Sequence, residues 1–171
     1  MKKKNIKAPN PKRRMQIAIG IGVAIILTVI GVNYNLDLAN LKGQKFGNDL
    51  AQIQSDLHNE TANFDANLTM YEKGQISKDH MLNLTDAHIA RMQNILTRYD
   101  SLSPPDSFTA PLQLFRLSTQ TQIDSDSLIK QWVQTGDNAT RAKSDQLLQE
   151  SFQYEMNGLQ SYNRAKSGAS Q

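Results

Sequence analysis

Five polar side chains interrupt the apolar stripe of one helical segment: Ser118, Thr119, Gln122, Ser125 and Asp126 stand at levels where Leu or Ile would pack better. Ser and Thr hydroxyls bond back to the i−4 carbonyl of their own helix, so a core tolerates them. Gln122 and Asp126 are different, because a buried amide or carboxylate needs a partner. Glu155, on the flank of the next helix's stripe, falls at a matching height in the pattern. Two readings follow. A cavity lined by Ser118, Gln122, Asp126 and Glu155 would bind a small polar ligand. The same residues closed on one another would form a polar layer that fixes helix register, which is the simpler reading.

Other chemistry-bearing residues are sparse. The chain has no Gly-rich phosphate loop, no His-Glu-x-x-His and no Gly-x-Ser-x-Gly. The Glu-x-x-His pairs of a di-iron bundle are also missing. Of the three histidines, His58 and His80 lie away from the core line, while His88 flanks a stripe as a hydrogen-bonded packing residue. The sequence holds no cysteine, which excludes disulfides, thiolate zinc sites, iron–sulfur clusters, cysteine nucleophiles and a lipidated-cysteine anchor. No metal, no cofactor and no enzymatic activity are expected. Trp132, in the last turn of its helix, closes the end of the core or anchors an interface. Asn-x-Ser/Thr sequons occur at Asn59, Asn67, Asn83 and Asn138. Asn59, Asn83 and Asn138 take outward or turn positions and are the candidates for glycosylation, whereas Asn67 is close to the core line.

The elements that must position these residues are helices. Phe46, Leu50, Ile53, Leu57, Phe64, Leu68 and Tyr71 recur at threes, fours and sevens, predicting a helix over about 36–73 that Gly43 and Gly47 weaken and Gly74 caps. Ser77 is an N-cap for a second helix over about 78–102, with a stripe of Leu82, Thr85, Ile89, Met92, Leu96 and Tyr99 and with His88 and Ile95 beside it. Ser103-Pro104-Pro105 stops it. The third, about 108–135, carries Pro111 in its first turn and the stripe Phe108, Leu112, Phe115, Thr119, Gln122, Asp126, Ile129 and Val133. The fourth, about 139–166, is expected to bury Leu148, Phe152, Met156, Leu159 and Tyr162, with residues 167–171 fraying. No run alternates with period two. Four such helices with short links predict an all-α, antiparallel up-down-up-down four-helix bundle over residues 34–166.

Ahead of the bundle, Met15–Val32 carries no charge and only Gln16 and Thr28 are polar. Eighteen residues at about 1.5 Å each come close to a hydrocarbon core of roughly 30 Å, so residues 15–33 read as a single transmembrane helix. Lys2, Lys3, Lys4, Lys7, Lys12, Arg13 and Arg14 precede it with no acidic residue before Asp37, which predicts a disordered cytoplasmic tail over 1–14 that also touches anionic lipid. The exit Val32-Asn33-Tyr34 lacks a small-x-small cleavage site, favouring an uncleaved signal anchor over a signal peptide. Gly20 and Ala24 form a small-xxx-small pair through which two spans could dimerise.

The pI of about 9.1 belongs to that tail. From Asp37 onward there are twelve basic and sixteen acidic residues, a net charge of −4, so nucleic acid is not an expected partner. The expectation is a single-pass cell-membrane protein, N-terminus inside, whose extracytoplasmic bundle acts as an interaction or scaffold module for a membrane or envelope protein. A ligand-binding, sensor-like bundle signalling through a partner is the alternative. A pilin-like filament subunit is weaker, because the early acidic residue and leader-site glycine are missing.

Overall fold

The computed structural model describes residues 39–168, with side chains from residue 43. The basic tail 1–14, the apolar run 15–33 with Gly20 and Ala24, and residues 34–38 and 169–171 lie outside the described residues. Among those described, no helix is long and apolar enough to cross a membrane.

All regular structure in this region is helical. Helix α1 spans Ala39–Glu72, α2 Lys78–Asp100, α3 Thr109–Thr135 and α4 Asn138–Gly168, with a 3-10 turn at Asp106–Phe108 before α3. Local chemistry sets most of the boundaries. After α1, Gly74 takes the left-handed φ of 70°, and Gln75 N–H bonds to Met70 O at 2.9 Å, a Schellman-type end. Ser77 Oγ accepts His80 N–H at the start of α2. Gly136, at φ 72°, ends α3. Asp137 then receives Ala139 N–H, Thr140 N–H and the Thr140 hydroxyl, and these bonds, led by the hydroxyl, hold its carboxyl below the usual range. Helix α2 stops at Asp100, two residues earlier than expected, and α4 runs on to Gly168.

Side-chain pairings fix the topology. Gln54 meets Tyr99 and Glu60 meets His88, so α1 and α2 are antiparallel. Thr119 pairs with Tyr99 and Asp126 with His88, reversing direction again. Ser118 with Ser151 and Ser125 with Ser144 do the same for α3 and α4. Two apolar clusters form the core. One gathers Phe46, Ile53, Leu57, Met92, Tyr99, Phe115 and Tyr162 toward the end where the described chain begins and ends. The other gathers Phe64, Leu68, Met81, Ile129 and Val133 toward the Gly74 and Gly136 turns. Between them lies a waist of buried polar residues: Thr61, His88, Gln122, Ser125, Asp126 and Ser144.

Helices α3 and α4 are the most closely packed pair. The cause is a seam of small residues. Ser118 Oγ donates to Ser151 O at 2.8 Å, and Ser125 Oγ donates to Ser144 O at 2.8 Å. A serine side chain reaches only one carbon from its backbone. Contact with a carbonyl of the facing helix therefore places the axes at the short end of the roughly 8–10 Å range. Gly158 extends the seam, since a Cβ there would lie 3.0 Å from the Phe115 ring.

This seam overturns the expected stripe of α4. Its buried line is Ser144, Leu148, Ser151, Glu155, Gly158 and Tyr162. Of the five apolar residues expected inside, Met156 is 37% exposed, and Phe152 and Leu159 are only half-buried. Close approach requires the small face of α4 to turn inward, and the larger apolar side chains rotate out with it. Helix α2 shows a smaller rotation. Met81, Thr85, His88, Met92, Ile95 and Tyr99 are buried, while Leu82, Ile89 and Leu96 are half-buried. The stripes expected for α1 and α3 are inside, apart from half-buried Tyr71 and Phe108.

A large side chain in the seam should therefore force the pair apart. Ser151→Leu is expected to lower stability by about 1–3 kcal/mol through overpacking. Met156→Leu, on the rotated-out face, should leave the urea midpoint nearly unchanged. Equal effects of the two substitutions would contradict the seam.

Candidate functional site

The waist is built around one imidazole. His88, 1% exposed, lies between two carboxylates: Nδ1 is 2.9 Å from Glu60 Oε1 and Nε2 is 3.0 Å from Asp126 Oδ2. Each ring nitrogen faces an acceptor, so the ring satisfies both only as the doubly protonated imidazolium. Burial alone would depress its pKa, but hydrogen bonds and charge from Asp126 and then Glu60 outweigh burial and raise it. Burial likewise pushes Glu60 up, but Arg91 and His88 reverse that and hold its carboxyl below the usual range. The Arg91 Nε bond to Glu60 Oε2 is 2.8 Å. Phe64 stacks on the His88 ring, 4.1 Å between centroids and 8° from parallel, offering its π face to the cation.

Around this triad the other polar groups close on one another. Gln122 Nε2 donates to Thr61 Oγ1 at 2.7 Å, and the Thr85 hydroxyl donates to Met81 O within its own helix. Glu60 carries the layer outward, since it lines a shallow groove between α1 and α2 with Asp56, Asn59, Asn63, Arg91 and Asn94. Among the described residues no three His, Cys, Asp or Glu side chains are grouped to hold a metal ion. Glu60 and Asp126 address opposite nitrogens of one ring, so the triad does not converge on a single point.

Glu155 belongs to a different level. It is 1% exposed, beside Tyr99 and Ser118, at the height of Thr119 rather than Asp126. Seven residues of helix separate those two levels, about 10 Å. Among the described residues neither Glu155 oxygen has a hydrogen-bond partner, and Gln54 Oε1 also has none. Burial pushes the Glu155 carboxyl up to about 8, and the nearby Ser118 hydroxyl offsets this only in part. Ser118 gives its hydrogen to Ser151 O instead. Tyr99 is raised first by burial and then by the charge of Glu155.

The four residues expected to line one ligand cavity are therefore divided. Gln122 and Asp126 are tied into the waist, while Ser118, which stitches the α3–α4 seam, and Glu155 beside it belong to the other level. Trp132 is half-buried at the distal end, edge-on to Tyr71 at 5.7 Å and under the Arg141 guanidinium at 4.6 Å. Arg141 also binds Glu72 Oε1 at 2.6 Å, joining α4 to α1. Asn59, Asn83 and Asn138 are exposed and Asn67 is half-buried. Sequence reasoning missed Gln54, Glu60, Thr61 and Tyr99 as members of these layers. Tyr99 stood in the expected apolar stripe of its helix, and Thr61 fills the seven-residue step between Leu57 and Phe64 in the apolar repeat.

The two layers set a pH dependence. The raised pKa of His88 means its contribution is complete below its unfolded value of 6.5 and is lost as pH rises through the folded one. For Glu155, stability is complete below 4.5 and is lost between 4.5 and about 8. Glu60 acts oppositely, and its contribution disappears as pH falls below 4.5. Resistance to urea should therefore be greatest in the mildly acidic range and weaken through neutral to alkaline pH. Glu155→Gln should flatten the alkaline decline. His88→Ala should cost about 3–5 kcal/mol at mildly acidic pH, because it strands Asp126 without its counter-charge. A pH profile that Glu155→Gln leaves unaltered would contradict the assignment.

Comparison with known proteins adds no relative to this geometry: no family model, no curated protein and no solved structure matches the chain.

Proposed function

We propose that this chain is a membrane-tethered interaction module, a helical bundle held at the outer face of the cell membrane for a membrane or envelope partner. The observation that carries the tether is the eighteen-residue uncharged run Met15–Val32 directly behind seven basic residues. In this reading residues 15–33 cross the bilayer, the basic tail meets lipid on the inner side, and Gly20 with Ala24 offers a dimer contact. The end of the bundle near Ala39 then lies next to the membrane, and the Gly74 and Gly136 turns point away from it.

Two features support an interaction role over ligand sensing at the waist. Gln122, Asp126 and Ser118 are occupied by groups of the chain itself. The half-buried Trp132 stands at the distal end, where a partner would approach. The reading assigns no enzymatic role. Ligand binding remains as a second reading because of the unpartnered oxygens of Glu155 and Gln54.

External protease on intact cells should remove the bundle while a tag ahead of Met15 stays protected. A photo-cross-linker at exposed Gln131, beside Trp132, should yield a discrete larger species that the same probe at exposed Ala90 on α2 does not. Recovery of the chain in the soluble fraction would overturn the tether. A chain that stays monomeric with every probe would overturn the interaction role.

A further inference from the structure

We propose that the layer around Glu155 is a binding site for one small monovalent cation, ammonium or an alkali metal ion. The inference starts from the hydrogens available there. The Thr119 hydroxyl gives its one hydrogen to Phe115 O at 3.1 Å. Its 3.2 Å contact with Tyr99 must then be donated by the phenol. Gln54 Nε2 in turn donates to the phenol oxygen at 2.8 Å. Ser118 and Ser151 send their hydrogens to Ser151 O and Leu148 O. Each hydroxyl of the layer thus has an acceptor other than Glu155. Among the described residues, Gln54 Oε1 and both Glu155 oxygens are left as acceptors without a donor.

Charge decides what can occupy such a layer. The cationic side chains nearest in the fold are engaged elsewhere. Arg98 pairs with Asp56 at the surface, and His88 is held between Glu60 and Asp126. A water molecule would satisfy hydrogen bonds yet leave the carboxylate charge uncompensated in the core. A cation removes both deficits, and so does a proton on the carboxylate. One carboxylate with neutral oxygens from Gln54, Tyr99 and Thr119 matches a single positive charge, whereas divalent ions collect more carboxylates. The proton is the competing occupant. Glu155 stands beside Ser118 of α3 and Tyr99 of α2, and Tyr99 in turn binds Gln54 of α1 and Thr119 of α3, with Arg98 acting on Tyr99 from its own helix. None of them is an uncommitted cation. Burial pushes Glu155 to about 8, so a proton fills the layer at neutral pH and a cation replaces it on the alkaline side.

The test uses the full chain in detergent at about pH 9, where the proton has left. Melting temperature is followed against ammonium, sodium and potassium chloride, with tetraethylammonium chloride at matched ionic strength as the bulky control. The expected result is a saturable rise of several degrees with a small cation, missing with tetraethylammonium and missing in Glu155→Gln. A larger rise with ammonium than with sodium or potassium assigns the site to an N–H donor, and the reverse to a metal ion. The Glu155 carboxyl carbon, followed by NMR in the unmodified chain, supplies a readout that does not depend on the variant folding. Its apparent pKa should fall by about one unit for each tenfold rise of the cation above its dissociation constant. Equal shifts with tetraethylammonium, persistence in Glu155→Gln, or a Glu155 titration identical in all four salts would each overturn the proposal.

Discussion

The close approach of α3 and α4 governs the rest of this bundle. Two serine hydroxyls on α3 reach carbonyls on α4, and Gly158 lets Phe115 lie against the α4 backbone. A side chain at Gly158 would meet the Phe115 ring. Since each residue's azimuth on a helix is fixed relative to its neighbours, placing Ser144, Ser151 and Gly158 inward also brings Glu155 inward. The same rotation carries Met156 out to solvent. A carboxyl group in the core is thus a geometric consequence of tight packing between two helices.

Two buried acidic sites among the described residues, at the waist and at Glu155, are treated in opposite ways. At the waist, the negative charge of Asp126 and Glu60 is matched by His88 within hydrogen-bonding distance, with Arg91 behind. That layer divides the core into two apolar clusters and fixes the register of α1, α2 and α3, because sliding one of them by a turn would separate imidazolium from carboxylate. At the Glu155 level, among the described residues, neither carboxyl oxygen has a hydrogen-bond partner, and the neighbouring serine and threonine hydroxyls have backbone carbonyls as acceptors. One layer is held by a pair that must stay charged, the other by a group that must lose its charge or acquire a partner.

Much of this was legible in the sequence, and the exceptions share a cause. The stripes of α1 and α3, the Ser77 cap and the Gly74 and Gly136 ends follow from local spacing and backbone preference, which a single helix reveals by itself. The stripe of α4 did not. Hydrophobicity favours Phe152, Met156 and Leu159, but interhelical distance favours Ser144, Ser151 and Gly158, and distance is a property of a pair of helices. For the same reason Glu155 was read at the height of Asp126, and its separation from that level emerges only once Ser118 is seen against Ser151. The partners of His88 come from positions 28 residues before it and 38 after it, beyond any local pattern.

The even number of helices has a mechanical side. Residues 39 and 168 lie at one end of the bundle, while the two glycine turns lie at the other, about 50 Å away along a 34-residue helix. Force applied between residues 39 and 168 would peel α1 and α4 away one turn at a time, breaking few contacts at each step. Force between the near end and the distal turns would act in shear, loading the seam, the waist and both apolar clusters at once. The bundle is therefore weak when pulled between residues 39 and 168 and strong when gripped at its turns.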